Sequence, residues 1–554
     1  MQRYRSDIVF KRGKTMKIIL TALFLAIILR LFSIQILKGD EYREQANRQQ
    51  TFNIEESLPR GNIFDRNGIK ITNKDKQKTA LISKKIIEND LEKQAKLKES
   101  LNYNTKEMNR LLTTSDSMLE MSLDKNTDMQ ALSNIKDVII IDKNERHSKD
   151  NLLAHVIGYV NKKDNIGVSG IEKSYDKEPL KSDLNFGKTG IFMDAKRNVV
   201  PGVNVDSTKD NTNISNSLQL TIDYKLQEKV ENILDKNGKK AAIIVSETST
   251  GDILSMVSRP NIDLNDMESN LSKGDRRLFN KSLELSYPPG SIFKIPVILA
   301  ALEAEEISLK DELYCKGYDE VGSTIIKCNN IEGHGNITIE EGLYKSCNSA
   351  FIQIGKKVGA KKIIEMAQTL GFGEKVEVGI QEETSGNLPS GRKLLGPAIG
   401  NISIGQGDIE VTPIQVSNMM MIVANEGVKK DMSLVKGYVT QEGAFAKTIT
   451  RDEDKGVLSK EVVRQVKLTL DEVIKKGTAS NIKIEDIGGG GGKTGTAQAV
   501  LNERLATHAW FSGYFPRQNP EYVITVFVED GDSGSGVAAP IFEKITKEIY
   551  KLNN

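Results

Sequence analysis

Residues 18–37, IILTALFLAIILRLFSIQIL, constrain this 554-residue chain more than any other stretch. Twenty helical residues reach about 30 Å, the thickness of a bilayer's hydrocarbon core, and no second apolar run approaches that length. The preceding residues 1–17 carry Arg3, Arg5, Lys11, Arg12, Lys14 and Lys17 against Asp7 alone. Basic flanks stay on the cytoplasmic side. The expectation is therefore a cytoplasmic tail (1–17), one transmembrane anchor (18–37) and a chain that is otherwise exported to the cell exterior. Arg30 and Gln35 interrupt the apolar run, but Arg30 lies close enough to its outer end to snorkel toward the interface. The uninterrupted stretch 18–29 would also suit a cleaved signal peptide; the LKGDEYREQ that follows holds no small-x-small cleavage signal and favours an uncleaved anchor.

With 77 Lys+Arg against 75 Asp+Glu, the chain has no basic excess to suggest a nucleic-acid partner, and its local excess in the tail reports topology instead. Three cysteines cannot build a disulfide framework. Beyond the anchor, residues 40–215 are rich in lysine and asparagine with weak periodicity, which reads as an extended, loop-rich stalk; its middle, 74–136, is charged and helical in propensity. Near 216 the texture changes. SLQLTIDYKLQEKVENIL passes from strand to helical spacing, and AAIIVSET with ILSMVS reads as a hairpin of buried strands. Helices are predicted over 294–306, 339–358, 412–425 and 459–475, and strands near 493–500, 508–515 and 521–528. An α+β catalytic domain from 216 to 554 is the simplest partition.

Serine one helical turn before lysine places hydroxyl and amine on one face, where the amine can take the proton. Ser-x-x-Lys occurs seven times here, but only Ser291 follows a rigid turn, YPPG, and opens an apolar helix, KIPVILAALEAEE. Its N–H then sits at a helix N-terminus, which favours an oxyanion, and a partly buried Lys294 would have its pKa lowered toward that of a base. Ser-x-Asn occurs at 100, 346 and 385, and Lys-Thr-Gly at 188 and 493. Order and context select Ser291/Lys294, then Ser346-Cys347-Asn348, then Lys493-Thr494-Gly495 behind five glycines (488–492), where missing side chains let a substrate backbone approach. The competing reading of that glycine run is a flexible linker.

This ordered triple is the signature shared by penicillin-binding proteins and serine β-lactamases. The flanks LPRGNIFDRNG (58–68), GVSGIEKSYD (167–176), LQLTID (218–223), YPPGSIFK (287–294), GQGDIEVTPIQ (405–415) and AWFSGYFP (509–516) make the chain resemble class B penicillin-binding proteins from the anchor onward. Ile292, where threonine or valine is more usual, and the long glycine run depart from the family pattern. The resemblance implies a multidomain α+β protein: one transmembrane helix, an elongated pedestal, and a transpeptidase domain with an antiparallel sheet flanked by helices plus an all-helical subdomain. It implies peptidoglycan D,D-transpeptidation through a Ser291 acyl-enzyme, with β-lactams acylating the same serine. Lys294 would be the base, with Ser346 and Lys493 relaying protons and Asn348 holding the donor amide. Thr494, Gly495 and Thr496 would bind its carboxylate end, and the N–H groups of Ser291 and Thr496 would form the oxyanion hole. The partners implied are peptidoglycan stem peptides, the membrane, an integral-membrane glycan polymerase and other wall-synthesis proteins. A division-type or sporulation-type role is favoured over elongation. The alternatives are a D,D-carboxypeptidase or β-lactam-hydrolysing enzyme, and a non-catalytic scaffold of the wall-synthesis complex.

Cys315, Cys328 and Cys347 fall within 33 residues, with His334 between them. Three thiolates and an imidazole are a full tetrahedral set for structural Zn²⁺, although the spacings are wider than in finger-type knuckles. A Cys315–Cys328 disulfide or three inert thiols are the alternatives, and Asp319 is a substitute fourth ligand should Cys347 not take part. No cofactor is expected for catalysis itself. His155 reads as a packing residue, Trp510 as core, and His508 as structural with a place on the cleft's far wall as the alternative.

Overall fold

The computed structural model describes residues 2–55, 60–84, 91–101, 118–123, 127–135, 138–161, 164–180, 188–193, 199–204, 216–501 and 504–554. They divide into two compact units: Met1–Ser57, Lys76–Asn144 and Leu184–Asn211 in one, and Leu58–Asp75, Glu145–Asp183 and Thr212–Asn554 in the other. The stretch 40–215, read from sequence as one stalk, is thus shared between them.

In the first unit a helix runs over Gln2–Phe32 and continues through Ser33–Leu37. Its portion Phe10–Leu37 is the one helix among the described residues long and apolar enough to cross a membrane. Among the described residues of the charged middle stretch, Leu91–Leu101 and Met129–Ser133 are helical. Strands Met118–Ser122, Asp75–Ser83 and Val138–Glu145 form a three-stranded sheet in that order. It closes over a small core of Ala80, Ile82, Leu97, Leu119, Met121 and Leu132. The apolar runs in these strands are short, such as Ala80-Leu81-Ile82 and Val138-Ile139-Ile140-Ile141, and lie in a stretch dominated by charge, so composition hides them.

The second unit is built on a five-stranded antiparallel sheet of β1 (Ala241–Glu247), β2 (Ile253–Ser258), β3 (Gly491–Leu501), β4 (Arg504–Phe515) and β5 (Tyr522–Val528), in the order β2-β1-β5-β4-β3. Strands β1 and β2 are buried nearly throughout, as the unbroken Ala241–Val245 run of β1 requires. The helices that cover the sheet or build the site are α1 (Tyr224–Asp235), α2 (Lys294–Glu303), α3 (Ile339–Tyr344), α4 (Asn348–Val358), α5 (Pro413–Ala424), α6 (Lys460–Lys475) and α7 (Ala539–Asn553). Helix α5 is buried on every side, which suits its nearly all-apolar sequence. Its start is fixed by a capping box between Thr412 and Gln415 and by Pro413 at the first turn.

The helix predicted over 339–358 is two helices. Thr338 and Glu341 cap the first in a capping box, Ser346 takes φ +58°, and Cys347 caps the second through its Sγ. A left-handed serine cannot continue a right-handed helix, so Ser346 stands outside helical register and Asn348 opens α4.

Candidate active site

The nucleophile candidate sits at the end of a rigid turn. Tyr287-Pro288-Pro289-Gly290 leads into a single 3₁₀ turn, Gly290–Phe293, from which α2 continues. Trp510 on β4 donates its indole N–H to the Pro288 carbonyl at 3.0 Å, so this core tryptophan also pins the turn. The turn meets the sheet edge because two glycines leave room. A Cβ on Gly290, whose φ is +54°, would lie 2.5 Å from the Thr496 carbonyl oxygen. One on Gly495 would lie 2.8 Å from Ile292 and 3.0 Å from the Pro289 oxygen. Ser291 and the β3 segment 494–496 are brought together by this absence of side chains.

Two buried lysines converge on one hydroxyl. Lys294 Nζ donates to Ser346 Oγ at 3.2 Å, to the Ser346 carbonyl at 2.7 Å and to Asn348 Oδ1 at 2.8 Å. Lys493 Nζ donates to the same Ser346 Oγ at 2.9 Å and to the Thr494 carbonyl at 3.1 Å. Both ammonium groups are fully buried and neither has a carboxylate partner among the described residues. Burial therefore lowers both pKa values: Lys294 falls to about 8, and Lys493 falls well below the usual lysine range, helped by its proximity to Lys294. Asn348 Nδ2 donates to the Lys327 carbonyl at 3.1 Å, tying the loop to the segment that carries Cys328.

Every residue proposed from the three motifs lies in this cluster or on its rim, with differences in detail. Among the described residues no hydrogen bond joins the Ser291 hydroxyl to Lys294, whose donors are taken by Ser346 and Asn348. Thr496 is exposed on β3 and accepts from the Gly534 N–H at 3.3 Å. Thr494 is turned inward, 6% exposed, with its Oγ1 2.6 Å from Thr478 Oγ1. The five glycines are no linker: Gly488 and Gly489 turn the chain with positive φ, and Gly491 and Gly492 enter β3, where a Cβ would strike Tyr514 or the Ser512 carbonyl.

The second predicted constellation is also assembled. The ligand atoms of Cys315, Cys328, His334 and Cys347 lie within 4.8 Å of one another, and all three thiols are free. Glycines frame the group: a Cβ on Gly317 would meet the Ile331 oxygen at 2.1 Å, and one on Gly333 the Cys315 oxygen at 2.4 Å. Tetrahedral zinc, with Zn–S about 2.3 Å and Zn–N about 2.0–2.1 Å, sets S···S near ~3.8 Å and S···N near ~3.6 Å. Cys328 Sγ lies 3.7 Å from Cys347 Sγ and 3.6 Å from His334 Nδ1, so the donors fit. The hydrogen bond between the two thiols pushes the Cys328 thiol down and the Cys347 thiol up. Asp319 is spent elsewhere, on Lys356 and the Ser349 hydroxyl, and is no substitute ligand.

Residues 241–547, more than half of the chain, match the penicillin binding protein transpeptidase domain family. The Stage V sporulation protein D of Bacillus subtilis (strain 168) is 30% identical over 553 residues, 95% of this chain and 83% of that protein. The peptidoglycan D,D-transpeptidase MrdA of Acinetobacter baumannii is 27% identical over 614 residues, 98% of this chain and 87% of its own. The chain belongs to the penicillin-binding protein transpeptidase family. Among solved structures, the penicillin-binding protein PBP2 of Helicobacter pylori shares the fold with a TM-score of 0.70 at 23% identity, covering 91% of this chain and 99% of that one. Pseudomonas aeruginosa PBP2, solved in complex with WCK 5153, gives a TM-score of 0.61 at 25% identity over 88% of this chain and 96% of its own.

In this member of the family the two residues that sequence reasoning missed are struts. Thr478, after α6, takes the Tyr344 carbonyl with its N–H at 3.1 Å and Thr494 with its hydroxyl, joining the loop of Ser346 to β3. Lys327 contributes only its carbonyl. Neither carries a local signal, because both act through partners far away in sequence. His508 does not line the cleft. It is 2% exposed, its ring packs edge-on against Tyr287 at 5.4 Å, and its Nδ1 accepts from the Asp530 N–H. His155 is a satisfied packing residue, bonded to the Arg277 carbonyl at 2.7 Å.

Proposed function

We propose that the chain is a peptidoglycan D,D-transpeptidase that acts through a Ser291 acyl-enzyme. The convergence of two buried, carboxylate-free lysines on the Ser346 hydroxyl carries this reading, because such a trio can hold and pass one proton at neutral pH. Ser291 Oγ attacks the carbonyl of the penultimate D-alanine of a stem peptide and its proton goes to Lys294 once substrate has closed the gap between them. The ester bond forms, the amide to the terminal D-alanine breaks, and the proton reaches the leaving amine by way of Ser346 and Lys493. An amine of a neighbouring stem then attacks the ester, gives its proton back along the same path, and Ser291 is released. The N–H groups of Ser291 and Thr496 serve the developing oxyanion, which the glycines at 290 and 495 bring within reach. Exposed Thr496, with Lys493 beside it, takes the terminal carboxylate, and inward-turned Thr494 positions the strand instead of binding substrate directly. β-Lactams acylate Ser291 in the place of the stem. Ser291→Ala is expected to abolish labelling by a fluorescent penicillin with the thermal transition unchanged; undiminished labelling would sink the assignment.

The anchor Phe10–Leu37, with its basic N-terminal flank, fits a single-pass membrane protein whose N-terminus is cytoplasmic and whose catalytic unit is outside. Glycan polymerisation falls to an integral-membrane partner, and the similarity to a protein named for stage V of sporulation supports a sporulation-type or division-type role. Cys315, Cys328, His334 and Cys347 hold a structural zinc that braces the loop of Ser346 and Asn348 and takes no part in the acyl transfer. About one equivalent of zinc in purified protein is expected, and less than a tenth would remove this site.

A further inference from the structure

Where β1 begins and β5 ends, Lys240, Asp275, Arg276, Arg277, Lys281 and Glu529 line a pocket of about 280 Å³. Its acids are already matched. Glu529 pairs with Lys281 at 3.5 Å, both groups being nearly buried, and Asp275 is held by Arg277 through two bonds of 2.7 and 2.8 Å. The Lys240 ammonium and the Arg276 guanidinium have neither a carboxylate within ion-pair distance nor a hydrogen-bond partner among the described residues. Four cations against two carboxylates leave a surplus of two positive charges in a concave space. One more polar group nearby is unanswered: the Tyr287 hydroxyl, on a side chain 3% exposed, makes no hydrogen bond and has Glu529 and Arg276 as charged neighbours.

Lys240 and Arg276 are exposed to solvent, and the surplus of positive charge in the pocket favours an anion over a cation. The guanidinium fork of Arg276 with the Lys240 ammonium, and Lys281 beside them already shared with Glu529, suits an oxygen anion. At about 30 Å³ per water molecule, the cavity holds such a group with its substituents. We propose that this pocket is a second ligand site of the protein, separate from the acylation centre, which binds an oxyanion, phosphate or carboxylate, through Arg276, Lys240 and Lys281. Its position is informative. Tyr287 lies four residues before Ser291, and Glu529 opens the segment whose Gly534 N–H rests on Thr496. An occupant would thus adjoin both chain segments that frame the substrate cleft while touching none of the catalytic groups.

The test is calorimetric titration of the full, detergent-solubilised chain with inorganic phosphate, and separately with acetate, at fixed ionic strength. Saturable binding of one phosphate per chain is expected, weakened about tenfold or more in the Lys240→Ala/Arg276→Ala double variant. Penicillin labelling of Ser291 in that variant should be unchanged, which shows that it is folded. Saturation by phosphate alone assigns a phosphate-bearing ligand, and saturation by acetate assigns a carboxylate. Absence of saturation by either up to ~10 mM, or equal binding by the double variant, overturns the site; a Kd of 1 mM corresponds to about −4.1 kcal/mol.

Discussion

Two of the places where the second unit buries charge treat it in opposite ways. Around Arg60 every charge is answered. Its guanidinium bonds Glu172 at 2.8 Å and Asp176 at 2.6 Å, and Arg146 bonds the other Glu172 oxygen at 2.6 Å. Burial alone would raise the Glu172 pKa, but Arg146 and Arg60 outweigh it and hold the carboxyl below its usual range. Around Ser346 two buried ammonium groups hydrogen-bond only hydroxyl, amide and carbonyl oxygens, and burial drives both toward the neutral amine. Compensated charge locks a structure, whereas uncompensated charge stores a ready proton acceptor. The first cluster ties together chain segments around 60, 146 and 172 to 176; the second is poised for chemistry.

The largest expected effects come from crossing the two clusters. Lys493→Met should slow acylation by penicillin by roughly 10²- to 10⁴-fold while leaving the melting temperature equal or higher, since a buried unpaired cation is gone. Glu172→Gln should do the reverse. It leaves two guanidinium groups facing each other and should destabilise the unit by about 3–5 kcal/mol, with acylation per folded molecule unchanged. Denaturant unfolding and stopped-flow acylation on both variants decide the matter: a lysine variant that unfolds, or a glutamate variant of normal stability and lost activity, breaks the contrast.

The pH dependence sharpens it. Lys294, lowered to about 8 by burial, is protonated at pH 6, so acylation should rise about tenfold per pH unit and level off above about 8. Glu172 works at the other end. Its folded pKa lies below the unfolded one, so it contributes stability that is present above the unfolded value, near 4.5, and is lost as pH falls through the folded value. The activity profile should therefore turn over far above the pH at which the fold begins to fail. A single midpoint governing both would mean that the two clusters are not separate devices.

How much of this was legible in the sequence follows the range of the interactions. Ser291, Lys294, Ser346, Asn348 and Lys493 are readable because local context, a PPG turn or a glycine run, selects them from many chance matches. Helix α5 and strands β1 and β2 are readable from mainly apolar runs bounded by turn or capping residues. The break between α3 and α4 is not, since the left-handed conformation of Ser346 depends on two lysines, one of them 147 residues away. The sheet around Asp75–Ser83 is hidden because its apolar runs are short and sit in a highly charged stretch. Inward-turned Thr494 is set by Thr478, which is invisible until the chain has folded.

Thr478 offers the smallest and finest test. Its N–H takes the Tyr344 carbonyl, and its hydroxyl lies 2.6 Å from Thr494, so one residue spans the gap between the Ser346 loop and β3. Gly477 beside it has no room for a Cβ, which would meet the Tyr344 oxygen at 2.5 Å, and Lys476 lies 4.9 Å over the Tyr344 ring. Thr478→Val keeps the shape and the backbone bond but removes the hydroxyl, at about 0.5–1.5 kcal/mol. If the strut sets the 2.9 Å contact between Lys493 and Ser346, the acylation rate constant should fall several-fold, less than in Lys493→Met, with little change in the apparent penicillin Kd. Thr478→Ser should restore it. A valine variant that melts earlier but acylates at the normal rate would place Thr478 with the structural charges around Arg60, on the other side of the contrast.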